Sequence, residues 1–260
     1  GRAYIKGSYY EFDDNGVMIS GWVPPVTTVA TSSFYTESGN QPKGWVFTYP
    51  QDDKNEDQDQ HWYYLDSKGH PFNAGCVTPS SAMEYKSGVG AGTKDGITAK
   101  VIKNKTYLFD ETGIMLTGVY KLVGTSRVGG AAGLLDDGIY YFNKEGESTK
   151  GQMATGKTTV TYDGENYYYN FAKNGLAHTD EIVDGYLYKS NGTRVNADEG
   201  NMIYPLGAET TVKKGQAKTT LPLGTPVVVS SAGKVKQSGT VTIDGSKYIV
   251  KDYVATLQQP

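Results

Sequence analysis

The sequence is dominated by a seven-residue unit, Tyr-x-Φ-x-x-x-Gly, in which Φ is a large apolar residue. Its six copies begin and end at Tyr10 and Gly16, Tyr63 and Gly69, Tyr107 and Gly113, Tyr140 and Gly146, Tyr169 and Gly175, and Tyr186 and Gly192. Tyr and Φ are two residues apart, so both side chains point to one face of a β-strand. The glycine supplies the positive φ of a tight turn. Each copy therefore predicts a strand, a turn and a returning strand.

The unit predicts hairpin turns near 13–16, 66–69, 110–113, 143–146, 172–175 and 189–192. Two-residue hairpin loops are predicted at four Asp-Gly pairs, 137–138, 163–164, 184–185 and 244–245. The 33 Gly and 21 Tyr of this 260-residue chain favour many short strands joined by turns, and no helical period of apolar residues is evident. We predict an all-β fold, an irregular, solenoid-like array of β-hairpins in which stacked copies bury their aromatic face.

The copies are spaced unevenly, by 17 to 53 residues. The long gaps must hold additional segments, and we predict insertions at 23–60 and 77–100 within a repeat region of residues 1–204. The unit does not recur in residues 205–260, which are rich in Lys, Val and Thr and carry a net charge of +4, against −7 for residues 1–204. This segment predicts a small C-terminal β unit, either a separate domain or a cap of the array.

Charge and motifs argue against several classes of function. The net charge of −3 gives no basis for nucleic-acid binding, and no apolar run approaches the roughly 18 residues of a membrane span. No Gly-x-Ser-x-Gly, His-Glu-x-x-His or phosphate-binding loop is present. The acidic run at 52–59 lacks EF-hand spacing, the three histidines lack metal-ligand spacing, and the lone Cys76 is interpreted as a packing residue. We expect no catalytic residue, no metal and no cofactor.

The copies resemble the cell-wall-binding repeats of Gram-positive bacteria and their phages. That superfamily includes choline-binding modules, glucan-binding repeats and the repetitive tails of clostridial toxins. The resemblance rests on residues 9–22, 61–69, 107–118 and 140–146, and it does not extend to 205–260. It implies a β-hairpin solenoid whose ligands lie between successive hairpins, against Trp and Tyr faces. Because copies three to six lack the family's Trp, it also implies that most choline sites are incomplete.

Candidate ligand contacts are aromatic side chains outside the predicted buried face. A Trp ring can stack on a sugar or attract a quaternary ammonium group; the alternative for each Trp is packing between hairpins. Three tyrosines stand next to the tyrosines of the unit and alternate to the other strand face. The predicted ligand-binding residues are Trp22, Trp45, Trp62, Tyr64, Tyr141 and Tyr168. We expect ligand contact to concentrate around Trp22 and Trp62.

Together these features favour a non-catalytic module of a secreted or cell-surface bacterial protein, its signal peptide removed. Its expected partner is a polysaccharide, a teichoic-acid-like polymer or another cell-wall polymer. The alternative is a structural spacer or adhesin segment that presents a surface to a host or bacterial protein. An enzyme with its chemistry in 205–260 or 23–60 is the third hypothesis.

Overall fold

The structure is a computed structural model that consists of β-strands and turns. It describes residues 1–23, 32–50, 59–73, 81–86, 89–95, 97–123, 135–144, 146, 148–214 and 217–259. For residues 81–86, 89–95 and 214, only the backbone is described. Parts of both predicted insertions, most of the acidic run and Cys76 lie outside these residues.

Twenty-five strands lie in the described residues, which contain no helix. The N-terminal strands are β1 (Arg2–Ile5), β2 (Ser8–Phe12), β3 (Met18–Ile19), β4 (Gly21–Val23), β5 (Ser33–Tyr35), β6 (Gly44–Thr48), β7 (His61–Leu65), β8 (Ser81–Lys86), β9 (Val89–Asp95), β10 (Thr98–Ile102), β11 (Lys105–Phe109), β12 (Met115–Leu116), β13 (Gly118–Val123) and β14 (Gly138–Phe142). The C-terminal strands are β15 (Gly156–Tyr162), β16 (Glu165–Phe171), β17 (Glu181–Val183), β18 (Tyr186–Tyr188), β19 (Asn201–Pro205), β20 (Thr210–Lys214), β21 (Ala217–Leu221), β22 (Pro226–Ser230), β23 (Gly239–Ile243), β24 (Ser246–Lys251) and β25 (Val254–Leu257). The predicted all-β array of hairpins is confirmed.

The chain divides into two compact units. The first comprises residues 1–84, 91–137 and 141–153, and the second 85–90, 138–140 and 154–260. The first contains the sheets β1-β2-β3, β4-β5, β6-β7 and β10-β11-β12, and the second contains β15-β16, β18-β17-β20-β21, β19-β22 and β23-β24-β25. In the second unit, the parallel pair of β17 and β20 joins strands before and after residue 205. That residues 205–260 form a separate domain or a cap stays a prediction.

One turn geometry recurs along the array. In the third copy, the Gly113 N–H donates to the Asp110 carbonyl at 3.0 Å, and the Asp110 N–H donates to the Ile114 carbonyl at 3.0 Å. The Asp110 carboxylate also accepts the N–H groups of Thr112 and Ile114, each at 3.0 Å. The same two backbone hydrogen bonds close the turns that begin at Asp13, Asp66, Ala172 and Lys189.

The two turns without an acidic first residue are stabilised from within. Ala172 and Lys189 cannot accept these N–H groups, but Asn174 and Asn191 stand two residues later in each turn. The Asn174 side chain accepts the Leu176 N–H at 3.2 Å, and the Asn191 side chain accepts the Thr193 N–H at 3.1 Å. A turn acceptor two residues away thus replaces the carboxylate.

Two further turns have this geometry but do not match the Tyr-x-Φ-x-x-x-Gly unit. They begin at Thr36 and Ser230 and place Gly39 and Gly233 three residues on, each with positive φ. Where the unit has its tyrosine, these copies have Ser33 and Val227, which is why the tyrosine column does not reveal them.

The fourth copy differs from the predicted turn at 143–146. The Asn143 N–H donates to the Gln152 carbonyl at 3.0 Å, and the Gly151 N–H donates to the Asn143 carbonyl at 2.7 Å. Gly151, with φ +76°, therefore takes the place that Gly113 has in the third copy. A longer loop replaces the four-residue turn, and its described residues, 143, 144, 146 and 148–151, are called here the expanded loop.

Successive copies are tied together by a repeated contact at the turn glycine. Each of these glycines lies against a side chain of the preceding copy, namely the side chain five residues after the first residue of that copy's turn. A Cβ added to the glycine would collide with this side chain or touch it. The pairs are Met18–Gly39, Met115–Gly151, Ala177–Gly192 and Arg194–Gly233. The backbone N–H of the equivalent residue in the following copy donates to the preceding copy, as in Gln41 to Tyr9, Met153 to Thr106, Ala177 to Ile139, Arg194 to Tyr168 and Val235 to Gly185. The glycines thus serve both positive φ and close approach.

The predicted aromatic core face is present in four of the six copies, whereas Tyr10 and Tyr186 are only half-buried. Tyr63, Tyr140 and Tyr169 are at most 1% exposed, and Tyr107 is also buried. The first unit packs one cluster around Phe34, Tyr63 and Leu65 and another around Ile102, Tyr107, Phe109 and Met115. In the second unit, Ile182 and Leu187 pack with a set of buried Val and Leu side chains from both sides of residue 205. The Tyr and Φ side chains of the unit share one strand face, and that face therefore contributes to the core.

The Asp-Gly loops follow the predicted geometry at three of four positions. Asp163-Gly164, Asp184-Gly185 and Asp244-Gly245 have positive φ at both residues and close two-residue hairpins. The prediction at 137–138 is wrong, because Gly138 begins β14 instead of closing a hairpin. A Cβ on Gly138 would collide with the Leu176 side chain, so this glycine serves close packing.

Candidate functional site

A cavity of about 700 Å³ opens in the first unit. Its described lining consists of Trp45, Trp62, Tyr107, Met115, Lys144, Gly146, Ser148 and Lys150. The first four side chains form an aromatic and thioether wall, and the other four residues belong to the expanded loop. We call this site the aromatic chamber.

Strand alternation gathers the aromatic wall on one hairpin face. In the β6–β7 pair, Trp45 lies opposite Tyr64 and Phe47 lies opposite Trp62, so these four rings share a face. The intervening residue Tyr63 points to the other face and is fully buried. The same alternation thus separates the hairpin core from the chamber wall.

Trp45 is the centre of this wall. Its ring centroid lies 6.3 Å from that of Trp62, 5.1 Å from Tyr64 and 4.8 Å from Tyr107, with interplanar angles of 61–85°. The quadrupoles of aromatic rings favour such edge-to-face contacts. Trp45 also stacks on Phe109, with the centroids 5.9 Å apart and an interplanar angle of 21°, so these rings do not form a single flat platform.

The expanded loop forms the rest of the described lining. It contributes Lys144, Gly146, Ser148 and Lys150. Its last residue, Gly151, packs directly against Met115, where a Cβ would collide with the thioether sulfur. The loop therefore holds one chamber residue in place and brings two ammonium groups to the lining.

The other predicted ligand residues occupy different surroundings. The Trp22 indole N–H donates to the Tyr49 carbonyl at 2.7 Å, and its ring packs edge-on against Phe34 and Tyr63 at 5.0 and 5.1 Å. The Tyr141 hydroxyl accepts the Lys144 N–H at 3.3 Å. Tyr168 lies in the second unit, with the Arg194 guanidinium 4.2 Å from its ring centroid.

Of the six predicted residues, Trp45 and Trp62 line the chamber, and Tyr64 packs against Trp45. Trp22, Tyr141 and Tyr168 are not among the described residues of its lining. Ligand contact at all six stays a prediction.

Sequence reasoning missed Tyr107, Met115 and the lysines as chamber residues. Tyr107 belongs to the tyrosine column, and both it and Met115 are 8% exposed, which fits the core role expected of that column. The glycine pair of the fourth copy, Gly146 and Gly151, gave no signal of the longer loop, because the first and third copies have glycines at the same spacing and keep the four-residue turn.

Searches against known proteins gave solved structures only. No family model matches the chain, and neither does any curated protein. The structure of choline binding protein F from Streptococcus pneumoniae matches at 19% identity and a TM-score of 0.48, covering 99% of this chain and 92% of that one. The chain is similar to choline-binding proteins.

Two further structures from Streptococcus pneumoniae are similar. CbpJ matches at 16% identity and a TM-score of 0.29, covering 99% of this chain and 94% of that one. The modular autolysin LytC matches at 16% identity and a TM-score of 0.24, covering 95% of this chain and 50% of that one. Since all three TM-scores are below 0.5, we base the interpretation of the site on its own geometry.

The described part of the chain contains no group of three His, Cys, Asp or Glu side chains that could hold a metal ion. It also contains no helix with the length and apolar character to cross a membrane.

Proposed function

We propose that this protein is a non-catalytic binding module that attaches a secreted or surface-exposed bacterial protein to a cell-wall polymer, with the aromatic chamber as its ligand site. The observation that carries the proposal is the convergence of Trp45, Trp62, Tyr107 and Met115 on one cavity of about 700 Å³. A volume of this size is in the range of small-molecule sites. Apolar walls with few polar groups are also typical of such sites.

The geometry favours a compact group with a positive charge and an apolar surface. Ring faces attract a cation through their quadrupoles, and several faces around one space add their effects. A sugar ring, by contrast, stacks best on one flat, exposed face. A choline-type quaternary ammonium group therefore suits these walls better than a sugar.

The lysines of the expanded loop define the rest of the ligand. Lys144 and Lys150 bring positive charge to the lining. They disfavour an isolated cation but favour an anionic group covalently attached to it. We propose that the polymer carries a choline-type cation close to an anionic group, and that the chamber binds both.

Calorimetric titration with choline chloride and with phosphocholine, together with a glycan array, tests this function. Phosphocholine carries the attached anionic group and is expected to bind more tightly than choline. Trp62→Ala is expected to weaken choline binding by about 1 kcal/mol or more, the scale of an aromatic or cation–π contact. Tyr4→Ala is the matched control, because Tyr4 is an aromatic residue of the same unit that is 64% exposed and outside the chamber lining.

Three outcomes would overturn the proposal. They are binding that is unaffected by Trp62→Ala in a folded variant, equal losses in both variants, and the absence of any binding to choline or to glycans. The last result would favour the spacer hypothesis. Glycan binding that depends on Trp62, without choline binding, would retain the site and replace the ligand.

A further inference from the structure

Three cations surround one tyrosine ring in the second unit. Tyr186 is on β18, and the Lys234 Nζ lies 3.9 Å from its ring centroid. The Lys157 Nζ and the Arg194 Cζ each lie 5.0 Å from the same centroid. Like charges gathered in this way repel one another, and the attraction of each cation to the ring opposes that repulsion.

Negative charge nearby does not balance them. In the part of the chain that the structure describes, Asp184 is the only carboxylate within ion-pair distance of the three, 3.8 Å from the Lys157 Nζ and 65% exposed. Lys234 instead donates to the Asp184 backbone carbonyl at 3.1 Å, and the Arg194 Nε donates to the Asn196 side chain at 2.9 Å. Neutral acceptors thus position two of the cations without cancelling their charge.

The long side chain of Arg194 is held in place by several contacts. Its guanidinium lies 4.2 Å from the ring centroid of Tyr168, and its backbone N–H donates to the Tyr168 carbonyl at 2.8 Å. Gly233 leaves the space that the side chain occupies, since a Cβ there would lie 2.6 Å from the Arg194 Nε. A cation fixed in advance loses little conformational entropy when it binds an anion.

A cavity of about 190 Å³ adjoins this cluster. Its lining includes Lys157, Arg194, Thr158 and Thr159, with the ring of Tyr168. An ammonium, a planar guanidinium fork and the Thr159 hydroxyl group are donors that phosphate oxygens accept from, whereas the Thr158 hydroxyl donates to the Gly156 carbonyl at 3.3 Å. The site is concave, so an oxyanion in it would be approached from several sides.

We propose that this cluster of Lys157, Arg194 and Lys234 binds the phosphate groups of a phosphodiester polymer. A polymer with repeated phosphates offers one anion to the cavity and another to Lys234 outside it, which a single carboxylate cannot do. The site lies within the second unit and does not depend on ligand binding by the aromatic chamber.

The test is calorimetric titration of the whole chain with poly(glycerol phosphate), with uncharged dextran as the comparison polymer. Lys157→Gln and Lys234→Gln each remove one charge from an exposed side chain, so both variants should fold. Each is expected to weaken poly(glycerol phosphate) binding about three- to fivefold, the scale of one partly exposed ionic contact. Binding by the parent should also weaken as NaCl is raised, because salt screens such contacts.

Lys247→Gln is the matched control, since it removes an exposed lysine of the same unit on β24. We expect it to leave binding unchanged, and we expect the parent not to bind dextran at this site. Equal losses in Lys157→Gln and Lys247→Gln would overturn the proposal, because charge alone would then explain binding. Undetectable binding of poly(glycerol phosphate), or dextran binding that Lys157→Gln weakens equally, would overturn it as well.

The same variants separate this proposal from the chamber. Trp62→Ala should keep poly(glycerol phosphate) binding at the cluster, and Lys157→Gln should keep choline binding. Loss of both ligands in either folded variant would contradict two independent sites.

Discussion

At the scale of single residues, the three tryptophans divide into two environments that their sequence context does not distinguish. Trp45 and Trp62 line the chamber, and Trp45 touches the rings of Tyr64 and Tyr107. Trp22 instead donates its indole N–H to a backbone carbonyl and packs on Phe34. A hydrogen-bonded, packed indole stabilises a hairpin, whereas a ring facing a cavity is available to a ligand.

The first prediction concerns Trp22. Trp22→Ala should lower the free energy of unfolding by about 3 kcal/mol, the scale of a large-to-small aromatic change in a core. The reason is the loss of both the ring packing and the indole hydrogen bond. Urea unfolding measures this, with Tyr4→Ala expected to change it by less than about 1 kcal/mol. A Trp22→Ala protein as stable as the parent, with ligand binding lost, would reassign Trp22 to a binding role.

The second prediction concerns Gly151. Gly151→Ala should weaken chamber binding as well as stability, because a Cβ at φ +76° collides with Met115 and drives it towards the chamber. We expect a loss of at least about 1 kcal/mol in stability, since an L-residue at positive φ is strained. Choline titration and urea unfolding measure the two effects. Gly156→Ala, at φ +77° but with no atom within 4 Å of the added Cβ, controls for strain alone; equal effects on binding in both variants would contradict the contact.

At the scale of elements, the turns connect the strands of each hairpin and contact the neighbouring copy. Asp or Asn side chains accept the turn N–H groups, and a glycine three residues on adopts positive φ and faces the preceding copy. Where the fourth turn lengthens, its additional residues become lining of the chamber. An insertion in one hairpin loop thus changes the surface without disturbing strand pairing, as loops generally can.

The third prediction tests the turn geometry at Gly113. Gly113→Val should cost at least about 1 kcal/mol of stability, because β-branched residues resist its φ of +86°. Gly207→Val is the control, since Gly207 has no positive φ and no atom within 4 Å of an added Cβ. Thermal or urea unfolding measures the difference in stability. Equal stability of Gly113→Val and the parent would contradict the predicted turn geometry.

The fourth prediction concerns the contact between β17 and β20. Lys213 Nζ lies 2.6 Å from Glu181 Oε1, and His178 Nδ1 lies 2.6 Å from Glu181 Oε2. Burial raises the pKa of Glu181, but the hydrogen bonds and charges of Lys213 and His178 outweigh it and hold the pKa below its ordinary value. A lowered carboxyl pKa gives stability that is present above the unfolded-state pKa and lost as the pH falls through the folded-state pKa.

Glu181→Gln should therefore lower stability by about 1–2 kcal/mol at neutral pH, the scale of a hydrogen bond to a charged group. The difference from the parent should shrink as the pH falls through the carboxyl range. Urea unfolding at a series of pH values measures it, with Glu165→Gln, an exposed residue of the same unit, as control. A difference that stays constant down to the lowest pH would contradict the ionic contact.

At the scale of the whole molecule, short hairpins replace a single extended sheet. A single short hairpin is too small to be stable alone, so its stability comes from neighbouring copies within its unit. The glycine contacts and the hydrogen bonds between copies are the physical form of that coupling.

The fifth prediction follows for the chain in solution. Far-UV circular dichroism should show β-structure and turns with little helix, because the described residues contain no helix. A helix content above about 20% would contradict the fold, since mixed domains reach about 30–35%.

The hairpins, the core tyrosines and most turns could be predicted from the sequence, because they depend on spacings of two to four residues. Tyr and Φ must share a strand face, and a glycine must supply the left-handed turn residue. The copies at Thr36 and Ser230 could not be found in this way, since their turns keep the glycine but lose the tyrosine.

The chamber was decided by tertiary structure. Trp45 and Tyr107 meet although they lie far apart in sequence, and the lysines reach them only because Gly151, not Gly146, closes the fourth turn. The cationic cluster likewise joins Lys157, Arg194 and Lys234 from separate copies. Local spacing determines which face a side chain takes, whereas long-range packing of copies determines which side chains share a cavity.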